Sequence, residues 1–363
     1  MNICFVRTNF NLLTGATRAT FNLAGELIAM GYRVTLVSIY SETECPPDEL
    51  PAGAEYCVLK VGSTRLREGL VDAVVRLRRM AAGGGFSWVL SVGISPSVVV
   101  IPALVGLRDV RSVLVEHSNR KNVMGADKNH DRLYKLAVPH FDKVVVLTKE
   151  DKREYLSRYR IEEHDVQIIP NWVSCDVLAA ASPCDCSSKR IISVGRLAPE
   201  KGYDKLLEVA SMVLPSRPDW FWDIYGDGES EDNVRSLISD LNLVGRVNLM
   251  GSVPDVIHRY AAYSIFVMTS YFEGLPLALL EAKANALPAV AFSCPTGPSE
   301  IIEDGLDGFL VPCYDSACMA ERLSFLMDDV EARERFSSRS VACLERYSKD
   351  SILSSWIALL NQA

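Results

Sequence analysis

The sequence predicts an α/β protein with two domains, each built on an open, doubly wound parallel sheet. Its 363 residues are roughly twice the length of a typical single domain. Short apolar runs rich in β-branched residues alternate with helical patterns, and the alternation starts again near residue 190. This alternation is typical of parallel sheets, which bind ligands at the carboxyl ends of their strands.

The first half contains five predicted buried strands. They are NICFV at 2–6, RVTLVSI at 33–39, WVLSV at 88–92, SVLVE at 112–116 and KVVVL at 143–147. Between the first two, residues 16–30 place Phe21, Ala24 and Ile28 on one helical stripe, and Gly31 ends the helix.

The second half repeats the pattern with five more predicted strands. They are RIISV at 190–194, WFWDIY at 220–225, RVNLM at 246–250, SIFVM at 264–268 and PAVAF at 288–292. The small and polar segment 175–189 is predicted to be a hinge or linker. We expect domains at 1–170 and 171–346 with a substrate cleft between them, and a final helix at 347–363 with Ile352, Trp356 and Leu360 on its apolar stripe.

The composition excludes several classes of protein. The net charge of −8 argues against general nucleic-acid binding. Residues 1–170 carry 22 Lys/Arg and 19 Asp/Glu, a net of +3, and the remaining 16 and 27 give −11. The first apolar run is interrupted by Arg7, unlike a signal peptide, and the run VVVIPALVGL is shorter than the ~20 residues of a bilayer span. We therefore expect a cytoplasmic protein.

Several catalytic and binding motifs are missing from the sequence. It contains no G-x-G-x-x-G after the first strand, no P-loop, no G-x-S-x-G elbow and no D-x-D. The ten cysteines are scattered, and only Cys184 and Cys186 lie close together, in a spacing unlike that of paired zinc ligands. We interpret the cysteines as reduced thiols and expect no metal site.

The stretch FEGLPLALLE at 272–281 predicts a backbone anion site. Pro276 stands at the predicted first position of a helix, where its fixed φ and missing N–H are tolerated. The following N–H groups, those of Leu277 and Ala278, point outward at the positive end of the helix dipole. Gly274 lets the backbone approach a ligand closely.

Two glutamates flank this helix start. Glu273 lies in the loop and Glu281 lies just over one turn inside the helix. A carboxylate cannot bind phosphate, but each can accept hydrogen bonds from hydroxyl groups, such as those of a sugar nucleotide. The alternative is an ordinary strand–loop–helix joint with two solvated glutamates.

The stretch SVGRLAPEKG at 193–202 adds two cations at a predicted strand end. Arg196 can clamp two phosphate oxygens and Lys201 adds a point charge. Strand ends of this kind hold ligands in parallel sheets. The alternative interpretation is a pair of ordinary surface cations.

Together these stretches resemble the retaining glycosyltransferases of family 4, which have the GT-B fold of two Rossmann-like domains facing a central cleft. The resemblance implies an acceptor-binding domain at 1–170, joined by the C-terminal helix at 347–363, and a domain at 171–346 that binds the nucleotide-sugar donor. SVGRLAPEKG, YFEGLPLALLEA and PTGPSEIIEDGLDGFLVP at 295–312 are similar to that family, and the likeness is looser before residue 170. The resemblance implies that Arg196 and Lys201 hold the donor diphosphate. It also implies that Glu281 binds the ribose hydroxyls and that Glu273 contacts the transferred sugar.

The resemblance also implicates two residues of the first half. Family members usually carry two glycines after the first strand, and this chain has Thr14 and Gly15, of which Gly15 matches the second. His117, in VLVEHSNRKN at 113–122, resembles the residue that faces the donor sugar. The last helix of similar proteins returns to the first domain, and we expect the same here.

The resemblance implies transfer of a sugar, with retention, from a nucleotide diphosphate sugar to a glycan or lipid-linked acceptor in surface polysaccharide or lipopolysaccharide synthesis. UDP is the default nucleotide, and the missing D-x-D predicts that no metal or other cofactor is needed. The alternatives are a GT-B sugar-nucleotide epimerase and a non-catalytic nucleotide-sugar-binding protein.

The segment TRLREGLVDAVVRLRRM at 64–80 predicts a basic amphipathic helix. Leu66, Leu70, Val74 and Leu77 form its apolar stripe, with Arg65, Arg76 and Arg79 largely away from it. We expect docking on an anionic membrane surface, at the inner face of the cell membrane. The alternative is a stripe that packs on the first sheet while its arginines are solvated.

Overall fold

The computed structural model describes residues 1–12, 14–62, 69–117, 128–173, 175–253 and 256–362. The chain forms two compact units. The N-terminal unit comprises Met1–Pro170 with Leu353–Ala363, and the C-terminal unit comprises Asn171–Ile352.

The N-terminal unit is built on a seven-stranded parallel sheet in the order β3-β2-β1-β4-β5-β6-β7. Its strands are β1 (Asn2–Arg7), β2 (Arg33–Ser41), β3 (Glu55–Val61), β4 (Trp88–Val92), β5 (Arg111–Val115), β6 (Lys143–Val146) and β7 (Val166–Ile168). Its helices are α1 (Gly15–Ala29), α2 (Leu70–Gly84), α3 (Ser97–Leu104), α4 (Lys128–Ala137) and α5 (Lys149–Arg158).

The C-terminal unit has a six-stranded parallel sheet in the order β10-β9-β8-β11-β12-β13. Its strands are β8 (Arg190–Val194), β9 (Phe221–Tyr225), β10 (Val247–Gly251), β11 (Ile265–Met268), β12 (Ala289–Ser293) and β13 (Gly308–Pro312). Its helices are α6 (Cys175–Ala180), α7 (Tyr203–Val213), α8 (Glu231–Asp240), α9 (Leu277–Ala284), α10 (Pro298–Ile301), α11 (Ser316–Asp328) and α12 (Val330–Ser340).

All ten predicted strands are present, and the doubly wound parallel architecture is confirmed. The sequence patterns missed β3, β7 and β13, and each of these lies at an edge of its sheet. An edge strand has one neighbour, and its apolar run can be short or broken by polar residues: β3 contains Glu55 and Lys60, and β7 has only three residues. The helix predicted at 16–30 is α1, in which Phe21 and Ala24 are buried.

The segment 175–189 is not a hinge or linker, and that prediction was wrong. It lies within the C-terminal unit, where the backbone N–H groups of Cys184 and Ser182 donate to the main chain and side chain of the buried Asn285. Cys184 is the buried residue at 181–189, and these hydrogen bonds tie a largely exposed segment to the C-terminal unit.

The last helix, α13 (Lys349–Leu360), supplies residues to both units, since the N-terminal unit resumes at Leu353. The predicted stripe residues Ile352, Trp356 and Leu360 are all buried. Within the N-terminal unit, Trp88 Nε1 donates a hydrogen bond to the Leu360 carbonyl at 2.9 Å. This bond fixes the end of α13 to the first residue of β4.

The strand order places a switch point in the C-terminal sheet. From β8 the chain proceeds to β9 and β10 on one side, then returns to β11 on the other side. The loops that leave β8 and β11 therefore diverge and open a crevice at the carboxyl edge of the sheet. That crevice is where the sequence placed its main candidate residues.

Candidate functional site

Loops at the carboxyl edge of the C-terminal sheet are joined by backbone hydrogen bonds. Leu197 N–H, after β8, donates to the Asp227 carbonyl, after β9, at 2.7 Å. Tyr271 N–H, after β11, donates to the Glu200 carbonyl at 2.9 Å. These bonds hold the loops that carry the candidate side chains in fixed positions.

Two glycines make this joining possible. A Cβ on Gly202, whose φ is +66°, would lie 2.2 Å from the Thr269 carbonyl oxygen. A Cβ on Gly226 would lie 2.0 Å from the Gly195 carbonyl oxygen. Neither contact is possible for a side chain, so both positions require glycine.

Lys201 and Glu273 form an ion pair across the switch point. The Lys201 Nζ lies 2.7 Å from the Glu273 Oε1, and the two side chains are 25% and 10% exposed. Lys201 is carried by the loop after β8 and Glu273 by the loop after β11, so the fold brings together residues 72 positions apart. The structure thus unites two of the predicted site residues in one direct contact.

The backbone of Glu273 is held from the next loop. The Thr296 hydroxyl donates to the Glu273 carbonyl at 2.5 Å. A Cβ on Gly297 would lie 2.6 Å from the carbonyl oxygen of Gly274, so this loop also packs against the predicted glycine. Thr296 and Gly297 were not singled out from the sequence.

The helix start after Glu273 differs slightly from the prediction. Pro276 is extended, with φ −73° and ψ 107°, and caps the helix, which begins at Leu277. The first N–H groups bonded within the helix are those of Leu279 and Leu280, both to the Pro276 carbonyl at 3.2 Å. The N–H groups of Leu277 and Ala278 come before the first N–H groups bonded within the helix. An anion site at a helix start requires such groups.

Glu281 is held by a tyrosine that the sequence analysis missed. The Tyr260 hydroxyl donates to Glu281 Oε2 at 2.9 Å, and the tyrosine is fully buried. Burial and then the Glu281 charge raise the pKa of Tyr260 well above its ordinary value, so it remains a donor. Tyr260 lies on a 3₁₀ turn, Val256–Ala262, and no sequence pattern connects it to Glu281.

Arg196 contacts two glutamates. Its guanidinium lies 2.6 Å from Glu200 Oε1 and 3.6 Å from Glu229 Oε2, and its side chain is 59% exposed. Burial acts to raise the pKa of Glu200, but hydrogen bonds from the backbone and Arg196 outweigh it, so the pKa is lowered. Arg196 is thus held at the mouth of the loop while it stays accessible to a ligand.

The other two predicted residues lie in the N-terminal unit, each at a carboxyl strand end. Gly15 is the first residue of α1, and a Cβ there would meet no atom within 4 Å. The helix is capped by Thr14, whose hydroxyl also accepts from Arg7 at 3.0 Å. His117 follows β5 and is half-buried.

Two family models match the chain in tandem. The one described as "Glycosyltransferase Family 4" matches residues 13–177, and the one described as "Glycosyl transferases group 1" matches residues 180–341. With the two parallel sheets, these matches define an enzyme, a glycosyltransferase of the GT-B fold. The chain belongs to the glycosyltransferases that combine a Family 4 N-terminal half with a group 1 C-terminal half.

Relatives with assigned names support this membership. An uncharacterized glycosyltransferase of Haemophilus influenzae is 28% identical over 358 residues, which cover 99% of each chain. The poly(ribitol-phosphate) alpha-N-acetylglucosaminyltransferase of Staphylococcus aureus is 30% identical over 68% of this chain and 49% of its own length. The amylovoran biosynthesis glycosyltransferase AmsD of Erwinia amylovora is 30% identical over 61% and 62%.

Solved structures share the fold. HepE of Anabaena in complex with UDP superimposes with a TM-score of 0.83 at 18% identity, and covers all of both chains. The lipopolysaccharide outer core galactosyltransferase WaaB superimposes with a TM-score of 0.78 at 16% identity, again over both whole chains. At these identities the likeness establishes the fold alone.

Proposed function

We propose that this glycosyltransferase moves a sugar, with retention, from a nucleotide diphosphate sugar to a glycan or lipid-linked acceptor. The observation that carries the proposal is the Lys201–Glu273 pair at the switch point, directly before the start of α9. The arrangement offers a cation and backbone N–H groups for a diphosphate and a carboxylate for sugar hydroxyls.

The ion pair has a clear role in this scheme. Without donor, Glu273 neutralises Lys201 and holds its ammonium group between the two loops. When the donor binds, Lys201 contacts the diphosphate oxygens and Glu273 accepts hydrogen bonds from the hydroxyls of the transferred sugar. Both side chains are already in place, so little reorganisation is needed.

Transfer requires stabilisation of the departing diphosphate. The bond between the anomeric carbon and the phosphate oxygen breaks while the acceptor oxygen bonds to the same face of that carbon. The acceptor proton passes to the departing phosphate oxygen, so a separate base carboxylate is not required. Arg196, Lys201 and the N–H groups of Leu277 and Ala278 stabilise the developing negative charge.

The remaining candidate residues hold the rest of the donor. Glu281, oriented by Tyr260, accepts hydrogen bonds from the two ribose hydroxyls. The roles of Gly15 and His117, which lie in the N-terminal unit, stay predictions from the family resemblance. Because the cations and helix start supply the positive charge, we propose a reaction that needs no divalent metal.

The names of relatives favour a surface glycan as the product. The amylovoran and poly(ribitol-phosphate) enzymes, and a UDP-galactosyltransferase of Escherichia coli acting on a diphosphoundecaprenol, are named for such polymers or lipid carriers. Several solved structures of the same fold contain UDP. These support a UDP-sugar donor and a role in polysaccharide or lipopolysaccharide synthesis.

Helix α2 carries the basic surface that we propose for membrane docking at the inner face of the cell membrane. Its predicted stripe is partly used by the core, since Leu77 is buried and Leu70 and Val74 pack, partly buried, against the core of the N-terminal unit. Leu66 and Arg65 lie outside the described residues.

A groove of about 460 Å³ lies between β3 and α2. Three cations, Lys60, Arg76 and Arg79, and one carboxylate, Asp72, line it together with Leu59, Val61 and Val75. Among the described helices, none is both long enough and apolar enough to cross a bilayer.

The test is a thermal-shift screen of nucleotide sugars followed by product analysis. A donor that binds only the native state raises the melting temperature by mass action. Nuclear magnetic resonance of the product with that donor should show the donor's anomeric configuration retained. Inverted product would overturn retention, an epimerised donor would favour the epimerase, and binding without transfer would favour a nucleotide-sugar-binding protein.

A further inference from the structure

Two tyrosines at the carboxyl edge of the C-terminal sheet form a stacked aromatic pair. The rings of Tyr271 and Tyr314 stack with their centroids 4.5 Å apart and their planes at 27°. Tyr271 lies two residues before Glu273, and Tyr314 follows β13. Tyr314 is 54% exposed, whereas Tyr271 packs against the core of the unit. The outer ring is therefore available to a ligand and the inner ring supports it.

The backbone of Tyr314 is unusual. Its φ is +69°, in the left-handed region, which is unfavourable for a bulky residue and freely available to glycine. The turn itself consists of backbone bonds, from Asp315 N–H to the Pro312 carbonyl and from Ser316 N–H to the Tyr314 carbonyl, both at 3.1 Å. A glycine could make both bonds without strain. What tyrosine adds at this position is the exposed ring.

The supporting ring is firmly held. The Tyr271 hydroxyl lies 2.7 Å from both carboxylate oxygens of Asp204. Burial, and then this hydrogen bond, raise the pKa of Tyr271, so the hydroxyl stays protonated at neutral pH. Its N–H is bonded to the Glu200 carbonyl. A ligand on Tyr314 would meet a rigid surface that loses little conformational freedom.

We propose that Tyr314, backed by Tyr271, is a stacking site for a pyranose ring of the acceptor glycan. The C–H face of a pyranose is apolar and packs on an aromatic ring, while hydroxyls at its rim can donate to Asp204 beside the pair. A nucleobase would also stack on an aromatic ring, and competition with UMP in the test below separates the two ligands. The choice of a glycan as the ligand rests on the proposed function.

The test measures oligosaccharide binding directly, with maltohexaose and chitohexaose as probes at millimolar concentration. Saturation-transfer nuclear magnetic resonance should detect binding of at least one of them to the wild type. Tyr314→Gly should weaken that binding by about tenfold, whereas Tyr314→Phe should retain it within about twofold. The melting temperature of Tyr314→Gly should be unchanged or higher, because glycine removes the backbone strain.

Asn242→Gly is the matched control. Asn242 is an exposed residue with a φ of +56°, at the turn after α8, so this variant changes the same kind of backbone position without removing a ring. It should bind both oligosaccharides like the wild type. A wild type that binds neither probe, or a Tyr314→Gly variant that binds like the wild type, overturns the stacking site. Displacement of the bound probe by UMP would identify a nucleobase site and overturn it equally.

The two proposals fail separately. If no nucleotide sugar stabilises the wild type while maltohexaose still binds through Tyr314, the proposed function falls and the stacking site stands. If a nucleotide sugar binds but removal of the Tyr314 ring leaves oligosaccharide binding unchanged, the stacking site falls and the proposed function stands.

Discussion

The ammonium group of Lys201 lies 2.7 Å from the carboxylate of Glu273, across the point where the C-terminal sheet reverses its strand order. One residue follows β8 and the other follows β11, so neither loop alone makes the site. Opposite charges that are largely buried at a crevice hold each other in place until a ligand supplies new partners. In the proposed function that ligand is the sugar nucleotide.

Replacing Lys201 by methionine should weaken transfer strongly. The variant loses the cation expected at the departing diphosphate and leaves Glu273, only 10% exposed, without its partner. We expect a loss of about 2–4 kcal/mol of transition-state stabilisation, measured as kcat/KM with the donor identified by thermal shift.

Lys205→Met is the control for that variant. Lys205 pairs with Glu208 at 2.6 Å and its side chain is 28% exposed, close to the 25% of Lys201, but it lies on α7. It should keep wild-type kcat/KM. Equal kinetics in Lys201→Met and the wild type would exclude a diphosphate contact for Lys201.

Tyr260→Phe should weaken nucleotide binding with little effect on the fold. The change removes one hydroxyl and releases Glu281 from its orienting hydrogen bond. A bond to a charged group contributes about 1.5–3 kcal/mol, which sets the upper limit of the expected loss of UDP affinity. Tyr225→Phe, which removes a buried hydroxyl bonded to Tyr263 instead, is the control. Similar UDP affinity in the two variants would separate Tyr260 from the ribose contact.

The sequence was sufficient to predict which edge of the C-terminal sheet carries the candidate site, but not the contacts between the residues of that site. Lys201 and Glu273 could be predicted because each follows a continuous buried strand, and parallel strands align their carboxyl ends. Tyr260 could not be predicted, because it precedes Glu281 by 21 residues and contacts it only through tertiary packing. Gly226 follows β9 in the sequence, but its contact with the Gly195 carbonyl depends on how two loops cross.

Activity should persist in excess EDTA. The proposed site neutralises the diphosphate with Arg196, Lys201 and the start of α9, so a divalent cation has no remaining task. Transfer should be measured after dialysis against EDTA and again after addition of magnesium or manganese. Activity that disappears with the chelator and returns with either metal would falsify the metal-independent mechanism.

The stability contributed by Glu200 should depend on acid pH. Its pKa lies below the ordinary value of 4.5, because hydrogen bonds from the backbone and Arg196 outweigh the effect of burial. A carboxyl group with a lowered folded-state pKa contributes stability above its unfolded-state pKa, and loses it as the pH falls through the folded-state pKa. Glu200→Gln should therefore be less stable than the wild type at neutral pH, and the two should converge below pH 4.5. Thermal unfolding across pH measures this, and a constant difference at every pH would contradict it.

Membrane docking should depend on the charge of the groove between β3 and α2. Arg76 and Arg78 also donate to backbone carbonyls of Leu59, and of Ala103 and Val105, so their replacement would disturb the fold as well as the charge. The cleaner variant is Lys60→Glu with Arg79→Glu.

Each basic residue contributes about 1 kcal/mol near anionic lipid, so reversing two should weaken vesicle binding by at least about thirtyfold. The control is Arg18→Glu with Arg33→Glu, which reverses two exposed cations of the same unit outside the groove. Liposome flotation should show binding of the wild type and the control to anionic vesicles, with little binding to neutral ones. Equal binding to both vesicle types, or no loss in the groove variant, would reject the electrostatic docking and leave the arginines of α2 as solvated surface residues.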